Sequence, residues 1–249
     1  MNKYTHLIAV FCIALAVSCS PERAVNAPRD VSFQTADGYT IHGTLYPVTD
    51  ARPAGLILVP MLGATRDTWQ RFALRAQAQG YMSIAIDLRG HGESTNRNGQ
   101  ESSYRAFTAK DWAGATADIA GAKRALLDAG ANPEDLAIAG ASIGANLALR
   151  YARDDAQLQA VVMLSPGLNY QGVATESSMR EIGNRPVLLM TGIDDAYSAD
   201  TCRTLKPLAQ GHCEVREYDG AAHGTDLLDA HAMCGEQILL WLSAIIGEN

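Results

Sequence analysis

The sequence predicts an α/β protein, a mostly parallel sheet of about eight strands with helices on both faces. Two observations carry this. After residue 30, short apolar runs of strand length alternate with helix-patterned segments, and crossovers of that length join parallel neighbours. Several runs are apolar at every position, as strands covered on both faces must be.

The elements follow in order. Residues 31–35 and 39–46 flank Asp37-Gly38, a hairpin signal, so the fold opens on an antiparallel pair. Gly55-Leu56-Ile57-Leu58-Val59 is a buried strand ended by Pro60, which has no N–H for a ladder. Residues 66–79 carry helical spacing up to Gly80, and 82–86 form the next buried strand. Residues 110–129 are Ala-rich and read as one helix stopping at Gly130. Residues 136–139 read as a strand running into Gly140, with a helix over 143–153. Strands follow at 160–164, 187–190 and 213–218, and helices at 201–209 and 234–246. Residues 165–185 read as irregular, which leaves room for a minimal cap at most.

With 249 residues, 47% hydrophobic and 19% charged, the chain suits one sizeable core. A net charge of -7 without a basic run argues against nucleic-acid binding. The start differs in character. Residues 7–17 form an apolar run of about 11 residues, too short to span a bilayer and suited to a secretory signal. It ends in Leu15-Ala16-Val17-Ser18-Cys19, which resembles the lipobox of bacterial lipoproteins. That resemblance implies cleavage before Cys19 and lipidation of its thiol, with Ser20 directing the product to the outer membrane, facing the periplasm. Residues 1–19 are then a leader, 20–30 a tether and 31–249 the folded domain. Cys202, Cys213 and Cys234 remain, an odd number read as small buried residues. No C-x-x-C or H-E-x-x-H pattern supports a metal site.

The chemistry centres on Gly140-Ala141-Ser142-Ile143-Gly144. A serine hydroxyl needs a base to become a nucleophile, and it must project to reach a carbonyl. A sharp strand-to-helix turn achieves this, and such a turn needs small residues on either side. The N–H of Ile143, opening the helix, faces where an oxyanion would form. Alone, the motif arises by chance in glycine-rich chains. Downstream, one strand opens into Gly192-Ile193-Asp194-Asp195 and the last into Gly220-Ala221-Ala222-His223-Gly224. That order, Ser then acid then His, each after a strand, makes His223 the base and Asp194 or Asp195 its orienting acid.

From about residue 31 onward the chain resembles the α/β-hydrolase superfamily, and within it the dienelactone-hydrolase-like members. The stretches that carry the likeness are Leu62-Gly63-Ala64-Thr65-Arg66-Asp67-Thr68-Trp69, Asp87-Leu88-Arg89-Gly90-His91-Gly92-Glu93-Ser94, the Ser142 turn, and the acid and His loops. The resemblance selects Asp195 over Asp194, since relatives place the acid third after the strand-end Gly. It also makes His91 structural. Many relatives carry His-Gly in the oxyanion loop, where this chain has Pro60-Met61-Leu62-Gly63. Matching Gly63 makes Leu62 the donor, with Met61 close by and Ile143 as the second; Pro60 has no N–H. Met61, Trp69, Tyr170 and Tyr197 are candidates to line an acyl pocket, each equally compatible with packing. His231 is a rival base, while His42 and His212 fall away from the active edge.

The resulting expectation is an exported, lipid-anchored serine hydrolase of carboxylic esters, thioesters or lactones, needing neither metal nor organic cofactor. A serine peptidase or acyltransferase on the same fold is the alternative, as is an envelope protein that uses the fold only for binding.

Overall fold

The computed structural model describes residues 26–246. The expected leader, with Cys19, and most of the tether lie outside the described residues.

Strands β1 (Arg29–Gln34) and β2 (Tyr39–Tyr46) pair antiparallel around the Asp37-Gly38 turn, where Gly38 takes φ 89°. Next come β3 (Gly55–Val59), helix α1 (Gln70–Ala78) and β4 (Met82–Ile86). Two short strands, β5 (Asn96–Arg97) and β6 (Gln100–Glu101), form a ribbon on β2. Helices α2 (Ala109–Gly114) and α3 (Thr116–Asp128) lead to β7 (Leu136–Ala141), α4 (Ile143–Asp154) and β8 (Leu158–Leu164). A second ribbon, β9 (Asn169–Tyr170) and β10 (Val173–Ala174), precedes α5 (Glu176–Glu181). The chain closes with β11 (Val187–Gly192), α6 (Ala196–Leu205), β12 (Cys213–Tyr218), α7 (Asp226–Ala230) and α8 (Cys234–Ser243).

The main sheet runs β12-β11-β8-β7-β3-β4-β2-β5-β6, with β1 also on β2. From β12 to β4 every pairing is parallel, and β2 joins β4 antiparallel. The eight long strands match expectation, and the β5–β6 ribbon raises the sheet to 10 strands.

Strand pleating divides the core into two layers. Ile57 and Val59 of β3 pack with α3 and α4 through Ile119, Leu126, Leu147 and Leu149. Leu56 and Leu58 face the other way, against Phe72 and Ala76 of α1 and Ile238 and Leu242 of α8. Each such side chain removed from water contributes about 1.5–3 kcal/mol.

Four expected elements differ. The helix over 201–209 begins earlier, as α6 from Ala196, and closes in a 3-10 turn at Lys206–Leu208. The helix over 66–79 begins as a 3-10 turn at Arg66–Trp69 before α1. The helix over 110–129 is two helices that meet at Ala115. There the end of α2 passes Arg89, whose Nη1 lies 3.1 Å from where a Gly114 Cβ would sit. Arg89 is buried and bonds Asp118 of α3 and Asp37 of the β1–β2 turn, at 2.7 Å in each case. A buried charge without such partners is strongly destabilising, so this network fixes the turn, the β4 loop and α3 together. Finally, 165–185 is ordered as the β9–β10 ribbon and α5. Gln171 (φ 53°) and Gly172 (φ 85°) form its tight turn, the pattern of a type I′ hairpin without the Asn-Gly that usually signals it.

Candidate active site

Ser142 stands at the end of β7 with φ 53° and ψ -120°, left-handed backbone that costs a non-glycine residue energy. Its environment enforces that conformation. The Ser142 N–H donates to Leu164 O at 2.8 Å, while its carbonyl accepts from Ala145 N–H at 2.9 Å, closing the first turn of α4. The flanking glycines have separate reasons. A Cβ on Gly140 would lie 2.2 Å from the Gly144 oxygen, and one on Gly144 would lie 2.4 Å from the Pro60 oxygen. Helix α4 therefore starts in direct backbone contact with the end of β3, which brings the Pro60-Met61-Leu62 loop beside the serine.

The acid and base loops are interlocked in the same way. A Cβ on Gly192 would fall 2.4 Å from the Gly220 oxygen, and Asp194 N–H donates to that oxygen at 3.1 Å. This contact leaves the Asp194 side chain exposed and turns Asp195 inward. His223 Nδ1 lies 2.6 Å from Asp195 Oδ2, and Nε2 lies 2.8 Å from Ser142 Oγ. An ionised Asp195 only accepts, so Nδ1 carries the proton and Nε2 accepts from the Ser142 hydroxyl. None of the other described histidines takes this place. His91 is buried and stacks on Tyr104 at 4.0 Å, and His231 follows α7 against Tyr218. His42 lies on β2, and His212 precedes β12, at the far end of the strand from the serine.

Ile143 is the first residue of α4, so its N–H has no acceptor within the helix. Neither Met61 nor Leu62 donates its N–H to an acceptor among the described residues. Met61 is half-buried, and its sulfur lies 2.7 Å from where a Gly224 Cβ would sit, next to His223. The loop is held from behind. The Asp87 carboxylate accepts from Arg66 N–H at 2.8 Å and from the Arg66 guanidinium, which also reaches Glu93.

Of the aromatic candidates, Tyr170 faces the triad. Its ring stands at 85° to that of His223, with centroids 6.3 Å apart. Burial raises its pKa above the ordinary tyrosine value, while the nearby hydroxyls of Ser198 and Ser142 pull the other way. Tyr197 is exposed at the rim, 5.5 Å from Tyr170 between ring centroids. Trp69 is a correction. It is completely buried, packed edge-on against Phe72 at 5.7 Å in the α1–α8 layer, and so does not reach the cleft. Cys202 and Cys234 are buried and Cys213 is half-buried; all three are free thiols whose pKa burial raises, to about 12, 11 and 11 for Cys202, Cys213 and Cys234.

Two residues beside the triad carry no sequence signal. Ser165, after β8, is fully buried at φ 49°, and its hydroxyl accepts from Gly224 N–H at 2.9 Å, holding the His223 loop. Asn146 of α4 donates to Gly167 O and Val173 O and accepts from Gly167 N–H. Both contacts join residues far apart in sequence. A cavity of about 730 Å³ between Arg52, Tyr81, Asn132 and Glu134 includes no triad residue.

Residues 52–185 match the model of the hydrolase family described as "Serine aminopeptidase, S33". With more than half its length matched, this chain belongs to that family of α/β-hydrolases. Among solved structures, DcsB, determined with a substrate analogue, superposes with TM-score 0.76 at 14% identity, over 89% of this chain and 100% of that one. The Pyrococcus furiosus esterase Pf2001 gives 0.70 at 16%, covering 89% and 92%. A dienelactone hydrolase from Anabaena variabilis gives 0.68 at 18%, covering 88% and 99%. At these identities the likeness is one of fold. No curated protein matches the sequence.

Proposed function

We propose that this serine hydrolase cleaves carboxylic esters, thioesters and lactones among them, through an acyl-enzyme. The observation that carries the reading is the unbroken hydrogen-bond chain from Ser142 Oγ through His223 to Asp195. His223 takes the Ser142 proton as Oγ attacks the carbonyl carbon, and Asp195 stabilises the imidazolium. The N–H groups of Ile143 and Leu62, with Met61 alongside, receive the oxyanion. Collapse expels the alcohol, protonated by His223, and the same base then activates water to release the acid.

Chemistry of this kind needs no metal or organic cofactor. The resemblance of Leu15-Ala16-Val17-Ser18-Cys19 to a lipobox supports a lipid-anchored enzyme of the bacterial envelope that acts on a small ester. The family description supports a second reading, an aminopeptidase acting through the same three residues.

Labelling with a fluorophosphonate probe tests the first claim. The intact protein is expected to label, and Ser142→Ala to lose both label and p-nitrophenyl acetate turnover by at least about 10³-fold. A folded wild type that stays unlabelled would mean a binding protein. Turnover of aminoacyl anilides in preference to the acetate would select the peptidase.

A further inference from the structure

The ribbon that carries Tyr170 is held more firmly than a loop over an open cleft requires. Asn146 bonds its first residues and Val173 O, and Thr175 Oγ1 donates to Gly167 O at 2.9 Å. Leu168 N–H donates to Thr201 Oγ1 and Asn169 N–H to the Tyr197 hydroxyl, tying the ribbon to α6. The Tyr170 ring lies against Gly167, where a Cβ would approach it to 2.6 Å. These bonds fix the backbone on both sides of Tyr170. The Tyr170 hydroxyl sits 3.3 Å from the Oγ of Ser198, a fully buried residue.

Sheet order sets the side of Ser142 on which the ribbon stands. Ser142 ends β7. The oxyanion loop leaves β3 on one side of it, and the ribbon leaves β8 on the other, the side of β11 and β12. His223 arrives from that second side and stands edge to face with Tyr170. In serine hydrolysis the group nearest the imidazole Nε2–H is the departing alcohol, and afterwards the attacking water. Its raised pKa keeps the phenol protonated at neutral pH, able to donate.

We infer that Tyr170 is a further catalytic residue, donating its O–H hydrogen bond to the leaving-group oxygen as the tetrahedral intermediate collapses. This rests on the acyl-enzyme reading above. The C–O bond breaks, its electron pair goes to the leaving oxygen, and the proton comes from His223 Nε2. Tyr170 keeps its own proton and stabilises the charge that builds before transfer completes. The substrates this favours are esters of unactivated aliphatic alcohols, whose leaving oxygen carries the most charge.

Tyr170→Phe keeps the ring and removes the donor. Its kcat/KM is measured against acetates of p-nitrophenol, phenol and ethanol. The expected result is a change within about threefold for the nitrophenyl ester and a loss of about 10- to 100-fold for the ethyl ester. Dependence on the leaving group therefore steepens. Equal losses on all three esters, or a change in KM alone, would reduce Tyr170 to a packing or binding residue. No change on any ester overturns the role outright. An unchanged circular-dichroism spectrum and melting temperature for Y170F show that the fold is intact. A wild type that neither labels nor turns over any acetate would mark failure of the underlying hydrolase reading instead.

Discussion

At the scale of single residues, a methyl group separates a tolerated glycine from one the site cannot lose. A Cβ on Gly144 meets backbone oxygen at 2.4 Å from Pro60 and 2.6 Å from Val59. Neither is a flexible side chain, so α4 would have to lift from the end of β3. That motion separates the Ile143 N–H from the Met61–Leu62 loop, and displacements of about 1 Å can cost 10²-fold in rate. Gly144→Ala is therefore expected to lower kcat/KM for p-nitrophenyl acetate by about 10²-fold or more while the protein still folds. Gly235 is the control, since its Cβ would meet Phe72 at an ordinary 3.5 Å inside α8. Gly235→Ala should leave the rate unchanged and raise stability by about 0.4–1 kcal/mol. Equal activity in the two variants would show that the close approach at Gly144 is not needed.

At the scale of elements, the β9–β10 ribbon depends on one side chain from a neighbouring helix. Asn146→Ala would remove the partner of Gly167 N–H and the side-chain donor to Val173 O, while Gly167 O keeps Thr175 Oγ1; a buried group left unpaired costs about 1–3 kcal/mol. The expected outcome is local: amide exchange accelerates across residues 167–175, while α3 and β7 keep their protection and Ser142 still labels. Protection falling uniformly across the sheet would instead mean that Asn146 supports the whole fold. This ribbon also marks where sequence reading stops. Five of the eight long strands, β3, β4, β7, β8 and β11, were legible as mainly apolar runs and the β1–β2 pair through Asp37-Gly38, while Ser142, Asp195 and His223 each fall in the loop after a strand. The ribbon, read as irregular, turns on Gln171-Gly172, and its anchors Asn146 and Thr201 lie on other elements. Ser165 was invisible for the same reason, since its partner Gly224 is 59 residues away. Trp69 was misplaced because an aromatic after the oxyanion loop suits core and cleft equally, and only packing on Phe72 separates the two.

At the scale of the molecule, parallel strands create two distinct ends, and the chain uses them differently. The triad lies beyond the carboxyl ends of β7, β11 and β12. The described chain enters at the opposite end. Asn26 O accepts from Gln77 Nε2 at 2.8 Å, and the same amide donates to Pro47 O at 2.6 Å, just after β2. Tyr46 there pairs with Ser83 near the start of β4, so this is the amino end of the parallel strands. No helix among the described residues is long and apolar enough to cross a membrane. If Cys19 carries the proposed lipid, the anchored segment joins the described domain at the end opposite the triad. The mature protein is expected to show a diacylglyceryl Cys19 by intact mass and to sediment with vesicles. Its kcat/KM for a soluble ester should match that in detergent within about twofold, since chemistry at the far end is unobstructed. A free Met1 or cleavage elsewhere discards the anchor. A vesicle-bound form slowed tenfold or more would place the bilayer over the triad instead.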